Sequence, residues 1–220
     1  MLKNWTPRER PVVAALTGQY TRLELLDWDI HCDRLYAAVC GDGNDELWTY
    51  MPIGPFADRD VFRQIFEFVR NHFEWETMVI LDKTSDAVLG MGSYMRIRPE
   101  HGSAEVGCVA FGPALKRTRQ ATEAMFLMAR HLFEDLGYRR YEWKCDNANE
   151  ASLRAAKRFG FLFEGVFRND MVTKGRNRDT AWFAMTDIDW PALVPAYEAW
   201  LAPDNFDEGG KQKKRLEDMP

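Results

Sequence analysis

A mixed α/β (α+β) fold, with a mostly antiparallel central sheet of about seven strands flanked by helices, is the architecture this sequence predicts. Short apolar runs of strand length alternate with longer segments of helical periodicity. Two of the runs, Thr77–Asp82 and Ala87–Met95, are joined by the turn Lys83-Thr84-Ser85-Asp86, so the sheet starts as a hairpin. The 220 residues, 46% hydrophobic and 29% charged, are enough for one core and exclude wholesale disorder.

Residues 1–18 are polar and contain proline, and are expected to form a loosely packed arm. Tyr20–Leu25 alternates like a first strand, and the mixed helical spacing of Ile30, Leu35, Tyr36, Ala37 and Val39 places a helix over Asp29–Cys40. Gly41–Asp45 is a turn, followed by the aromatic segment Leu47–Pro52, of the kind that commonly lines pockets. Asp58 precedes a helix whose residues Val61, Phe62, Ile65, Phe66 and Val69 recur at three and four, ending near Asn71. The hairpin follows, then a strand over Ser103–Phe111. A helix over Ala121–Leu136 carries the core stripe Ala121, Ala124, Met125, Met128, Leu132, Leu136, and Gly137 stops it. Arg140–Cys145 is a strand, and Asn149 caps a helix through Phe159. Phe161–Arg168 and Thr180–Thr186 form a last strand pair, linked by the polar segment Thr173–Asp179. Trp190–Leu201 is a terminal helix whose apolar stripe serves its own core or a twofold partner, so the chain is a monomer or a homodimer. Residues 202–220 form a charged tail, expected to be disordered.

The formal charge of −5 argues against a nucleic-acid partner. No apolar run approaches the length of a membrane span, and Met1–Trp5 lacks the centre of a signal peptide, so no membrane partner and a cytoplasmic location are expected. Cys32, Cys40, Cys108 and Cys145 are widely spaced, without metal-ligand partners, and are expected as reduced, buried thiols. No metal is expected.

The chemistry concentrates in Ser103–Phe161. After the strand Ser103–Phe111, stopped by Gly112-Pro113, the run Lys116-Arg117-Thr118-Arg119-Gln120 delivers three cations to the start of a helix, where free N–H groups and the dipole favour an anion. This is the layout of a phosphate cradle, without the GxxxxGK[ST] of a Walker loop or the GxGxxG of a dinucleotide site.

From Arg22 to Trp190 the chain resembles the GNAT acetyltransferase superfamily, in its RimJ/RimL-like branch. The resemblance rests on Ala104-Glu105-Val106-Gly107, Gln120-Ala121-Thr122-Glu123-Ala124, Asn149-Glu150-Ala151-Ser152, and Arg158-Phe159-Gly160-Phe161 followed by Glu164-Gly165-Val166. It implies a GNAT domain over residues 19–189, with acetyl-CoA held where the fourth and fifth strands splay apart. Val109 and Phe111 are then expected to contact pantetheine, and the N–H groups from Arg117 through Thr118, Arg119, Gln120 and Ala121 to Thr122 the pyrophosphate, beside Lys116. Arg119 stands where the family's motif usually has a glycine, and is expected to be helical with its side chain swung around the phosphates. Asn149 is expected both to cap its helix and to meet pantetheine, and Lys157 with Arg158 to reach the 3′-phosphate.

Acetyl transfer needs a base for the amine and an acid for the departing sulfur. Glu105, in an otherwise apolar strand, is the candidate base, against the alternative of a core carboxylate paired with Arg or Lys. Many relatives supply the acid from a tyrosine in the fourth helix; here that position is Ala156, and Ser152 resembles the sulfur-facing serine of the RimL branch. Trp48, Tyr50, Met51, Trp75 and Tyr94 are candidate walls of the acceptor pocket. The acceptor implied is a small-molecule amine or a protein N-terminus, and the competing function is a non-catalytic acyl-CoA sensor.

Overall fold

The structure is a computed structural model that describes residues 4–41 and 43–219. Met1–Lys3 of the expected arm, Asp42 of the turn and Pro220 of the tail lie outside the described residues. The strands are β1 (Ala15–Thr17), β2 (Thr21–Leu25), β3 (Glu76–Asp82), β4 (Val88–Arg98), β5 (Ser103–Phe111), β6 (Arg140–Asp146), β7 (Leu162–Thr173) and β8 (Arg176–Thr186). The helices are α1 (Trp28–Val39), α2 (Arg59–Phe73), α3 (Arg119–Arg130), α4 (Glu150–Arg158) and α5 (Trp190–Leu201). The strands form one eight-stranded sheet in the order β1-β2-β3-β4-β5-β6-β8-β7, antiparallel throughout except for the β5–β6 pair.

The sheet separates two apolar layers. On one face, Val106, Tyr141, Trp143 and Phe183 pack with α3, α4 and α5; on the other, Val79, Leu81, Met91 and Ala110 pack with α1 and α2. Asp58 caps α2 by accepting from the Val61 N–H at 2.9 Å, so the boundary read from the sequence is a bonded one. α5 buries Trp190, Tyr197 and Trp200 in its own core, with Phe126 stacked on Tyr197 at 5.0 Å between centroids.

Four expectations are corrected. The arm is pinned: Ala15–Thr17 adds an eighth strand against β2, the Trp5 indole donates to the Glu100 carbonyl at 2.8 Å, and Arg8 Nε donates to the Gly137 carbonyl at 3.0 Å. Polarity in these residues reflects an edge position, where one side of the strand stays wet. α3 stops at Arg130 and continues as a wider π turn over His131–Asp135, closed by Leu136 N–H to His131 O at 3.1 Å. The polar segment Thr173–Asp179 is mostly strand, because β7 and β8 turn at Lys174-Gly175 alone. Both turn residues have positive φ, 50° and 74°, the mirror-image turn that matches strand twist. Beyond the core most residues of this ribbon are exposed, so its polarity did not signal a loop. The tail is folded: Phe206 pairs with Gln212, the Trp200 indole donates to Gln212 Oε1 at 2.9 Å, and Phe206 and Leu216 are buried.

Candidate active site

The central feature is a parting of strands. β5 and β6 pair from Ser103–Arg140 to Val106–Trp143 and no further, although both strands continue. Past that point Gly107–Phe111 lean on β4, and Lys144–Asp146 on β8. The β4–β5 register also breaks between Met91 and Ser93, so no β4 residue pairs with Cys108 or Val109, and Cys108 takes a φ of 48°. This bulge bends β5 away from β6. A Cβ at Gly107, at the parting, would meet the Met95 sulfur, so the Met95 side chain would have to move. Val109 and Phe111 point to the α3 side, and Cys108 and Ala110 to the other.

β5 leads into the basic turn through Gly112, whose N–H donates to Leu89 O at 3.0 Å and whose Cα passes too near the Ala38 carbonyl for a side chain. Leu115 and Lys116 N–H both donate to Gly112 O, at 2.9 and 3.2 Å. Arg117 has a φ of 63°, and Thr118 caps α3, its hydroxyl donating to Leu115 O at 2.7 Å and accepting from Ala121 N–H at 3.2 Å. Among the described residues the N–H groups of Arg117, Arg119 and Gln120 have no partner, which leaves an anion nest at the helix start.

Several side chains assigned to the phosphates are committed elsewhere. The Ala121 N–H belongs to the Thr118 cap. Gln120 donates to Asp82 Oδ2 at 2.7 Å, and Thr122 accepts from Arg158 at 3.0 Å. Arg119 is helical as expected, but its guanidinium lies over the Tyr20 ring at 4.1 Å and near Phe206 at 5.5 Å, drawn to the aromatic faces. Arg158 is half-buried against Trp200, and desolvation lowers its pKa, while Arg154 and Lys157, the other cations of α4, stay exposed. Lys116 and Arg117 are exposed beside the nest.

On the α4 side of the gap, Asn149 Oδ1 accepts from Ser152 N–H at 3.1 Å, so Asn149 does cap. The Ser152 oxygen accepts the Trp143 indole N–H at 2.9 Å, which fixes the oxygen and leaves the hydroxyl hydrogen to donate. Ala156 is fully buried.

The opposite face of the gap carries charge. Glu105 and Glu142 stand side by side in the parallel register, each about 96–97% withdrawn from solvent. Lys144 Nζ lies 3.0 Å from Glu105 Oε2, off the hydrogen-bonding direction, and Arg96 Nε lies 3.7 Å from the same oxygen. Arg98 and Arg140 hold Glu142 at 2.7 and 2.8 Å. Both the Lys144 and Arg96 cations rest on the Trp182 ring, at 4.9 and 5.0 Å. Burial raises the Glu105 pKa above the ordinary carboxylate value, and Lys144 and then Arg96 oppose the shift. Sequence reading missed Lys144, Arg96 and Trp182, while the resemblance implied a Lys174–Asp179 segment near the acceptor entrance. The available signal was Arg140, Glu142 and Lys144 alternating with Tyr141, Trp143 and Cys145, which puts the charges on one face.

The aromatic walls are largely corrected. Trp48 is fully buried, its indole donating to Val39 O at 2.9 Å, and its ring packs edge-on to Phe56 at 4.7 Å. Tyr94 is fully buried on the α3 side and donates to Met128 O at 2.9 Å. Trp75 is buried beneath α2, against Leu26 and Phe66. Large rings in a short loop served the core because burying them is worth more there than lining a wet pocket. Met51 and Tyr50 remain near the gap: Met51 Sδ is 4.0 Å from Cys108 Sγ, and Tyr50 is exposed. The Cys108 thiol is enclosed and burial pushes its pKa well up, which suits a packing role. Over this face comes the β7–β8 ribbon, whose Lys174 ammonium donates to Trp48 O at 2.6 Å and reaches Ile53 O at 3.4 Å.

The parting of β5 and β6 lies between an amide nest at the start of α3 and a charged face around Glu105 and Glu142. Residues 22–162 match the family described as Acetyltransferase (GNAT) domain. The chain belongs to the GNAT acetyltransferase family. A GCN5-related N-acetyltransferase from Brucella melitensis is similar at 46% identity, covering 98% of each chain with a TM-score of 0.93. A probable GNAT-family acetyltransferase from Chromobacterium violaceum is 42% identical, covering 87% of this chain and 95% of that one, with a TM-score of 0.82. The protein called uncharacterized N-acetyltransferase p20 of Bacillus licheniformis is 26% identical over 167 residues, 74% of this chain and 89% of that protein. GNAT enzymes are acyltransferases that use acetyl-CoA, and the residues present fit it: an unpaired strand edge at Val109 and free amides at Arg117, Arg119 and Gln120. Among the described residues no cluster of His, Cys, Asp and Glu has the makings of a metal site, and no helix is long and apolar enough to cross a membrane.

Proposed function

We propose that this GNAT enzyme is an acetyl-CoA-dependent N-acetyltransferase of the RimJ/RimL-like branch, acetylating a primary amine by direct attack in a ternary complex. The observation that carries the proposal is the end of β5–β6 pairing at Val106–Trp143, beside the amide nest before α3. When bound, acetyl-CoA supplies an activated acetyl carbonyl and a thiolate leaving group. The free amides of Arg117, Arg119 and Gln120 hold the pyrophosphate, with Lys116 and Arg117 adding charge, and Val109 and Phe111 border the pantetheine arm. Lys157, exposed near the end of α4, is assigned to the 3′-phosphate within this reading.

Glu105 removes the proton from the acceptor ammonium, directly or through water. Its raised pKa brings it nearer to an amine's, and Lys144 keeps enough anion present to act. The Val109 N–H, in the bulge, donates to the carbonyl oxygen as negative charge develops there. Ser152, its oxygen held by Trp143, donates a hydrogen bond to the departing sulfur. Tyr50 and Met51 border the acceptor, and all four cysteines are free thiols, in keeping with a reducing cytoplasmic setting.

The test is thiol release from acetyl-CoA with a panel of amines and N-terminal peptides, alongside calorimetric CoA binding. Acetylated amine with stoichiometric thiol release supports the proposal; tight CoA binding with no turnover on any acceptor supports the acyl-CoA sensor, which Ala156 in place of the usual tyrosine favours.

A further inference from the structure

Arg178 has a burial that its surroundings do not explain. It lies on β8, two residues before Thr180, which pairs with Asp146 at the last position of β6. Lys144 pairs with Trp182 and its ammonium rests on that ring, so Arg178, Thr180 and Trp182 share the charged face. Arg178 therefore lies just past the last β6–β8 pair, at the end of β6 where β5 and β6 are no longer paired.

Its residue surface is 8% exposed, and Nε donates to Thr180 Oγ1 at 3.1 Å. Among the described residues its terminal nitrogens make no hydrogen bond, and no carboxylate oxygen lies within 4.0 Å of the guanidinium. Neither terminal nitrogen is sealed from the surface. Lys144, Arg96, Arg98 and Arg140, the cations that flank Glu105 and Glu142 on this face, all have a carboxylate partner. A guanidinium taken out of water and given one neutral acceptor is unfavourable unless something supplies the missing oxygens. Its planar fork matches a carboxylate in bidentate fashion. The same face holds a second unpartnered donor, the buried Trp182 indole N–H.

We infer that Arg178 binds a carboxylate carried by the acceptor. The substrate class is then amino acids, or peptides with an acidic side chain near the N-terminus, and not simple alkylamines. The inference rests on the acetyltransferase reading of the gap.

The experiment measures binding and turnover of matched pairs in the presence of CoA or acetyl-CoA: L-phenylalanine against its amide, and an Ala-Asp-Ala amide against Ala-Asn-Ala amide. In the wild type one carboxylate member binds about 10- to 100-fold tighter than its neutral partner, the range of a charge-assisted pair. Arg178→Met removes that advantage while CoA binding stays unchanged, and Arg178→Lys keeps part of it. A preference confined to phenylalanine names a main-chain carboxylate, and one confined to the aspartyl peptide names a side chain. Equal binding of both pairs to the wild type, or an advantage that survives Arg178→Met, overturns the inference. Should Arg178→Met not fold, Thr180→Val, which only frees Nε, is expected to lower the advantage several-fold, and an unchanged advantage there overturns the inference equally. A carboxylate advantage in binding with no acetylated product would sink acetyl transfer and leave the Arg178 site standing.

Discussion

Replacing Lys144 by methionine isolates the buried charge at the centre of the gap. The substitution keeps an apolar stem of similar length and removes the cation 3.0 Å from Glu105 Oε2. Breaking a buried pair from one side costs about 3–5 kcal/mol. Arg96, 3.7 Å from the same oxygen but 41% exposed, still screens part of the abandoned charge, and about 2–3 kcal/mol is the net expectation. For a chain of this size that lowers Tm by roughly 4–12 °C. The loss must also depend on pH. Burial holds the folded-state pKa of Glu105 above its unfolded value, so the folded state takes up its proton first and stability falls as pH rises from the unfolded toward the folded pKa. Without Lys144 the folded pKa rises further and this window widens upward. The difference between variant and wild type is therefore smallest near pH 5 and grows by up to about 1.4 kcal/mol per pH unit until the variant's own folded pKa is passed. Urea unfolding at pH 5 and pH 8 reads it, and adding Glu105→Gln should recover most of the loss at pH 8. A loss equal at both pH values, or no recovery in the double variant, refutes the account of Glu105 as a buried, cation-dependent carboxylate.

Ser152→Ala should lower kcat roughly 100-fold with calorimetric CoA affinity little changed; an unchanged kcat would reduce Ser152 to a helix-start residue. The same variant strands the Trp143 N–H and should cost about 1–3 kcal/mol in urea unfolding. Lys174→Met should raise amide hydrogen exchange across Val172–Asn177 roughly 3- to 10-fold, since the tip loses its bond to Trp48 O; unchanged exchange would mean the ribbon stands without that bond. Phe206→Ala, at a buried position under Arg119, should cost about 3 kcal/mol, and a Tm within 1–2 °C of wild type, roughly, would show that the tail contributes nothing.

The succession of strands and helices was mostly legible because its signals are local. Asp58 and Asn149 announced helix starts through caps that the structure closes, and the largely apolar run Ser103–Phe111, stopped by Gly112-Pro113, marked the strand on which the site is built. The anion nest was legible for the same reason, as three cations and a threonine at a helix start. Long-range pairing was not. Arg119 reads as a phosphate ligand until Tyr20, 99 positions earlier, and Phe206 are seen beneath it. Trp48 reads as a pocket wall until Phe56, Phe62 and Phe66 enclose it. Arg178 and Lys174 sat in a run read as solvated loop, and only the register of β8 against β6 gives them a face.

The left-handed residue at Cys108 has a cost of about 1–2 kcal/mol in backbone energy, since its side chain is not glycine. Had the chain spent one residue fewer there, β5 and β6 would be free to zip to their ends, and the outcome would be a flatter, better-paired sheet. Conformational frustration at a single position is thus the wedge that keeps the two halves of this protein from healing shut, and a deletion of Cys108 should yield a chain that folds at least as tightly and binds no thioester.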